Sequence, residues 1–220
     1  MMKQMLKVTP IPIFKDNYAY LLQCTKTNLS ALVDPAEPIP AMAAVKDTKL
    51  EAILTTHHHN DHAGGNAKVV QTYPGIKVYA ADERVKEMTI KANSPFKLGA
   101  LNITPLLTPG HTNGSVSYYV EDEEGKDKVV FTGDTLFIGG EYTEANLKFA
   151  LTVDPHNQKL KEKYNWAQKT KITVPSTLQD EWDTNPFMRV AEESVQKAVG
   201  VSNPIDLMGT LRELKNNFRG

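Results

Sequence analysis

His57, His59, Asp61 and His62 fall within six positions of the segment Thr55-Thr56-His57-His58-His59-Asn60-Asp61-His62-Ala63-Gly64-Gly65. Neutral imidazole and carboxylate groups suit zinc and neighbouring transition metals. Side chains alternate along an extended chain, so His57 and His59 share one side. Asp61 and His62 then turn toward an adjacent point, which leaves room for two metal sites close together. His58 points away from its two neighbours and is read as a non-ligand. The chain has 6 histidines, and four of them belong to this one segment. The segment sits between an apolar strand and a Gly-Gly pair, where loops carry function. His111, after Thr108-Pro109-Gly110, and Asp134, after Phe131-Thr132-Gly133, each follow a strand. Alone, each reads as a turn or capping residue. Joined to the histidine segment, they nearly complete a ligand set for two metals. The chemistry of such a set is hydrolytic, because zinc lowers the pKa of a bound water from about 15.7 to about 7.

Strands are expected over 6–13, 18–23, 29–33, 51–55, 77–80, 101–107, 115–121 and 128–132, with Lys15-Asp16-Asn17 as the first turn. Short helices are expected at 40–46 and 66–72, and a charged helix over 82–91. From Glu144 onward the periodicity is helical, over 144–151, 157–169, 187–199 and 204–218. Pro155, Pro175, Pro186 and Pro204 punctuate those helices. Strands followed by helices predict a mixed α/β (α+β) domain with a helical appendage. The boundary falls near Gly139-Gly140, giving a metal-binding domain over 1–140 and a helical domain over 141–220.

Basic and acidic residues number 25 and 26, for a net charge of −1. A general binder of nucleic-acid backbones carries a basic surplus, so the balance argues against that class while leaving room for a local basic patch. The 40% apolar share can fill a core, which argues against disorder. No apolar run reaches the roughly 18 residues of a membrane span, and the N-terminus lacks the apolar stretch of a signal peptide. Cys24 is the only cysteine. It can form neither an intrachain disulfide nor a Cys-rich metal site. The chain reads as a soluble cytoplasmic protein and a monomer.

The metal motif, together with Pro109-Gly110-His111-Thr112 and Thr132-Gly133-Asp134-Thr135-Leu136-Phe137, resembles the metallo-β-lactamase superfamily. Within it, the narrower resemblance is to the glyoxalase II (hydroxyacylglutathione hydrolase) family. That resemblance rests on Thr55–His59 through Gly64-Gly65, and on the second half of the chain. There Glu141-Tyr142-Thr143, Asn146–Ala150, Val174–Leu178, Asn185–Arg189 and the pair Arg212 and Lys215 are similar to the family. It implies an αββα sandwich followed by a helical domain. It also implies hydrolysis of S-D-lactoylglutathione to glutathione and D-lactate by attack of metal-bound hydroxide on the thioester. His57, His59 and His111 would hold one metal, Asp61 and His62 the second, with Asp134 bridging. Asp134 and Asp61 are the expected catalytic carboxylates, Asp134 orienting the attacking group. Zinc is the expected metal, and iron or manganese would accept the same ligands. Tyr142, Arg212 and Lys215 are expected to bind the glutathione moiety, Arg212 by a bidentate contact with a carboxylate.

The chain departs from the family at one place. The family carries a seventh ligand, a histidine, immediately before Glu-Tyr-Thr, where this chain has Gly140. In the family, a loop, a helix and a strand precede that histidine. Here only Phe137-Ile138-Gly139-Gly140 separates Leu136 from Glu141, too little for a strand–helix–strand unit of about 30 residues. One tight metal and one weak or absent metal are therefore expected, along with an exposed sheet edge. Two alternatives to an active thioesterase follow. One is a spliced or truncated variant that binds metal but turns over poorly. The other is a different hydrolase of the superfamily, for which Asn185–Arg189 and the Arg212/Lys215 pair have no use. A mitochondrial form would come from a longer transcript.

Overall fold

β1 (Leu6–Ile13) and β2 (Asn17–Cys24) pair antiparallel, and β2 pairs antiparallel with β3 (Leu29–Val33). β3, β4 (Lys49–Leu54), β5 (Lys77–Ala80) and β6 (Ile90–Lys91) then run parallel. Parallel neighbours need a crossover. The crossovers are α1 (Pro38–Ala44), then α2 (Asn60–Ala63) and α3 (Asn66–Thr72). Strands buried on both faces read as unbroken apolar runs, and Ala52, Ile53 and Leu54 of β4 are all buried. β7 (Phe96–Leu98), β8 (Leu101–Leu107), β9 (Val116–Asp122) and β10 (Lys128–Phe131) form a second, antiparallel sheet in the order β10-β9-β8-β7. The coordinates are a computed structural model describing residues 4–15, 17–136 and 143–219.

The chain divides into two compact units, Met1–Leu136 and Phe137–Gly220. In the first unit, one buried cluster lies between the sheets, with Leu22, Val33 and Leu54 against Ile103, Val116, Tyr118 and Phe131. A second lies on the other face of the six-stranded sheet. There Ala41, Val45 and Val69 pack with Leu32, Ile53 and Val78. Among the described residues, no buried apolar cluster forms on the outer face of the four-stranded sheet. β10 ends that sheet and pairs only with β9 among the described residues. Tyr118 is fully buried, and its hydroxyl donates to the carbonyls of Tyr79 at 2.9 Å and Thr55 at 3.1 Å. It thereby joins the ends of β4 and β5 to β9.

The second unit contains α4 (Thr143–Val153), α5 (Gln158–Ala167), α6 (Leu178–Thr184), α7 (Glu193–Val199) and α8 (Pro204–Asn217). α4 is buried on two faces. Leu147 and Ala150 meet Leu160 and Ala167 of α5, while Phe149 and Val153 meet Val195, Leu207 and Leu211 of α7 and α8. Asn157 and Asn203 cap α5 and α8 by accepting backbone N–H bonds, which satisfies donors the helices leave free.

Two sequence expectations are corrected here. The charged helix over 82–91 does not form. Thr89 N–H donates to the Val78 carbonyl, Val78 N–H to Thr89 Oγ1, and Ala92 N–H to the Ala80 carbonyl. The backbone groups a helix would use are committed to β5, and Asp82 closes a turn on the Arg84 N–H. The helix over 187–199 covers only Glu193–Val199. Asn185 Oδ1 accepts from Phe187 N–H, and a chain of tight turns follows through Glu192. α6 was not expected, although Thr177 and Asp180 form a complete capping box in front of it.

Candidate metal centre

The polar side chains singled out in the sequence leave the carboxyl ends of separate strands. His57, His58 and His59 follow β4, Asp61 and His62 lie in α2, and His111 follows β8. Asp134 sits in a 3-10 turn, Gly133–Thr135, after β10. His59 Nδ1 is 3.1 Å from His57 Nε2 and 2.9 Å from His111 Nε2. His111 Nε2 is 3.1 Å from Asp134 Oδ2. One ligand atom from each of these four residues lies within 4.8 Å of the other three. Three imidazole nitrogens and a carboxylate converging on one point match the donor chemistry of zinc.

A second group adjoins the first. His62 Nε2 is 3.1 Å from Asp134 Oδ1 and 3.9 Å from Asp61 Oδ2. This nitrogen is buried, and it faces the Asp134 carboxylate at close range without ideal hydrogen-bond geometry. A buried imidazole nitrogen set against two carboxylates is an arrangement that a shared cation would satisfy. The residues present therefore fit a metal ion. Asp61 is 53% exposed, so Asp61, His62 and Asp134 form a looser set than the first four residues.

Asp34, at the end of β3, holds both groups from beneath. Its carboxylate accepts from Thr56 N–H at 2.8 Å, from Thr56 Oγ1 at 2.6 Å and from His62 Nδ1 at 2.9 Å. Thr56 Oγ1 spends its proton on Asp34 and accepts from His57 Nδ1 at 3.1 Å. These bonds put the protons on Nδ1 of both histidines and free Nε2 as the ligand nitrogen. Asp34 adopts a φ of +47°, rare for a side-chain-bearing residue. Gly133 has a φ of +48°, and a Cβ there would lie 2.4 Å from Thr56 Oγ1. A side chain at 133 would thus disturb the residue that supports Asp34.

The electrostatics follow from burial and these carboxylates. Burial, then the charge on His62, lowers the His57 pKa to about 4. Burial also opposes a charge on His62, but Asp134 and Asp34 outweigh it and raise its pKa to about 11. Two carboxylates around one imidazole thus demand positive charge, the same demand that a metal cation meets. Burial works against the Asp134 carboxylate, yet His62 brings its pKa below the usual value. His58 turns the other way, with Nδ1 3.0 Å from Asp82 Oδ2. Arg84 binds Asp82 through two nitrogens and, as the main cause, holds that carboxyl near 2.

Sequence reasoning missed Asp34, Thr56, Asp82 and Asn17, whose Nδ2 donates to the Asp61 carbonyl at 2.8 Å. Asp34-Pro35 reads locally as a strand stop, and its partners are 22 and 28 residues away. Arg212 and Lys215 lie one turn apart on α8. Lys215 Nζ stands 5.3 Å from the Phe149 ring centre and 5.6 Å from that of Phe218. Burial, then the charge of Arg212, lowers the Lys215 pKa. Tyr142, and the Gly140–Glu141 junction, lie outside the described residues.

The family model for the metallo-beta-lactamase superfamily matches residues 14–176, and that for the hydroxyacylglutathione hydrolase C-terminus matches residues 141–218. The cytoplasmic hydroxyacylglutathione hydrolase of Arabidopsis thaliana is 39% identical, over 98% of this chain and 100% of its own length. The probable hydroxyacylglutathione hydrolase glo2 of Schizosaccharomyces pombe is also 39% identical, over 95% of this chain and 98% of its own. The crystal structure of ETHE1 from Myxococcus xanthus aligns with a TM-score of 0.57 at 19% identity, covering 98% of this chain and 92% of that one, which bears on the fold alone. The Arabidopsis alignment spans 258 positions against 220 residues here, so at least 38 positions of that relative have no counterpart in this chain. With near-complete coverage in both directions, the chain belongs to the hydroxyacylglutathione hydrolase family of thioester hydrolases, within the metallo-beta-lactamase superfamily.

Proposed function

We propose that this chain hydrolyses S-2-hydroxyacylglutathione thioesters, with S-D-lactoylglutathione giving glutathione and D-lactate. The observation that carries the reading is the convergence of His57, His59, His111 and Asp134 within 4.8 Å. End-to-end similarity to relatives named for that activity supports it. A bound zinc, or iron or manganese in its place, supplies a nucleophilic water at neutral pH and a Lewis acid for the thioester carbonyl oxygen. His57, His59, His111 and Asp134 would hold the tighter ion. Asp61 and His62, with Asp134 shared, would hold a weaker one. Asp134 and Asp61 direct their carboxylates at the reacting centre, and Asp34 keeps His57 and His62 in their ligand tautomers. The leaving thiolate has a pKa near 8.5, so it departs with little help from a general acid.

The glutathione moiety carries two carboxylates, which suit a bidentate guanidinium at Arg212 and a point charge at Lys215. Tyr142 joins them as a glutathione contact. The chain acts as a cytoplasmic monomer, as the name of the Arabidopsis relative supports for its location. A second reading is a metal-binding chain with impaired turnover, favoured by the 38 or more absent positions. Hydrolysis of S-D-lactoylglutathione by the purified chain, with His59→Ala as the control, decides between them. Turnover that His59→Ala abolishes is expected. A folded, metal-loaded chain without turnover establishes the second reading.

A further inference from the structure

We infer that Phe14 selects the acyl group of the thioester, favouring apolar and aromatic acyl substituents; this rests on the thioesterase reading above. β2 runs antiparallel to β3, with Tyr20 opposite Val33. The turn that opens β2 therefore lies at the same end of the sheet as Asp34 and the histidine segment. Two bonds tie that turn to the loops of the metal centre. Phe14 N–H donates to Glu37 Oε2 at 2.6 Å, three residues beyond Asp34. Asn17, buried at 6% exposure, donates from Nδ2 to the carbonyl of Asp61 at 2.8 Å.

Phe14 itself has a φ of +50°. Glycine, asparagine and aspartate normally fill such a position, and a bulky ring there is an outlier. Strain of this kind persists where the surroundings impose it, and it clusters at functional sites. Phe14 is 52% exposed and belongs to none of the buried clusters. A strained, half-exposed aromatic residue, on a turn held by Glu37 and tied through Asn17 to the carbonyl of Asp61, suits an apolar ligand group. Glutathione itself offers charged ends and amides, which call for cations and hydrogen bonds. The acyl substituent is the part of the substrate that an aromatic wall can read.

The test compares kcat/KM for S-mandeloylglutathione and S-D-lactoylglutathione in the wild type, Phe14→Ala and Phe14→Leu. We expect the mandeloyl-to-lactoyl ratio to fall about tenfold in Phe14→Ala, in the range one apolar contact supplies, and to recover partly in Phe14→Leu. A merely structural role would lower both rates together, and an unchanged ratio overturns the inference. Affinities for the non-hydrolysable S-benzylglutathione and S-methylglutathione read the same preference without turnover. A wild type that hydrolyses neither thioester but prefers the benzyl ligand, and loses that preference in Phe14→Ala, refutes the thioesterase reading and keeps only Phe14 as the residue that reads the S-substituent. A wild type with no preference overturns it.

Discussion

Asp34 accepts three hydrogen bonds, and removing its charge should be felt at the metal before it is felt in the fold. Asp34→Asn keeps the volume but presents an amide to His62 Nδ1 and Thr56. Loss of an orienting partner typically costs 10- to 100-fold in metal affinity. We expect that loss in competition with a chelator of known affinity, with little change in far-UV circular dichroism; unchanged affinity would remove Asp34 from this role. His57 gives a second test, in the metal-free protein. Its folded pKa is about 4 against 6.5 for the free residue. Below pH 6.5 the unfolded chain takes up a proton that the folded one refuses. His57's contribution is therefore complete above pH 6.5 and lost as the pH falls toward 4. Between pH 7 and pH 5 the loss is about 2 kcal/mol, at about 1.4 kcal/mol per pH unit. His62 is protonated in the folded chain throughout, while the unfolded chain takes up its proton only near pH 6.5, so His62 gains about 0.8 kcal/mol over the same range and the net loss is about 1 kcal/mol. Urea midpoints at the two pH values measure the difference. Much at this scale was legible in the sequence, because histidine and aspartate announce metal chemistry wherever they cluster. Asp34 was not, because nothing local distinguishes an orienting aspartate from one that ends a strand.

Each element places a ligand by a local rule that tertiary contacts can override. β4 was readable because its buried run is apolar and ends at the histidines. The segment after β5 was not, since its charges suggest a helix while its N–H groups pair with a neighbouring strand. That pairing spans 11 residues and leaves no trace in a helical window. α6 shows the opposite case, a short helix whose start signal was present but whose length of 7 residues gave little periodicity to read. Tyr118 tests the idea that β9 supports the site from below. Tyr118→Phe removes one buried hydroxyl and leaves the Thr55 carbonyl short of a donor, while the Tyr79 carbonyl keeps the Thr55 N–H. We expect a loss of about 1–2 kcal/mol in unfolding free energy. A stability equal to wild type would mean that water replaces the hydroxyl.

Over the whole molecule, the chain is shorter than its Arabidopsis relative by at least 38 aligned positions. β10 is left as the last strand of its sheet among the described residues. Leu106 and Leu107, at the end of the neighbouring β8, are 45% and 63% exposed. The four-residue candidate set lies wholly within the described residues, and the looser one has an exposed carboxylate. Elemental analysis after dialysis should return about one metal per chain. Two retained metals per chain would show that the looser set needs no further ligand. The residues of the tighter set, 57, 59, 111 and 134, come from three strand ends that are far apart along the chain. An ion held by all of them would act as a removable cross-link closing a loop of more than seventy residues, and the entropy such a clip removes grows with loop length. Metal supply would then set how long the chain survives as well as how fast it works, and a starved cell would lose the protein by unfolding and proteolysis.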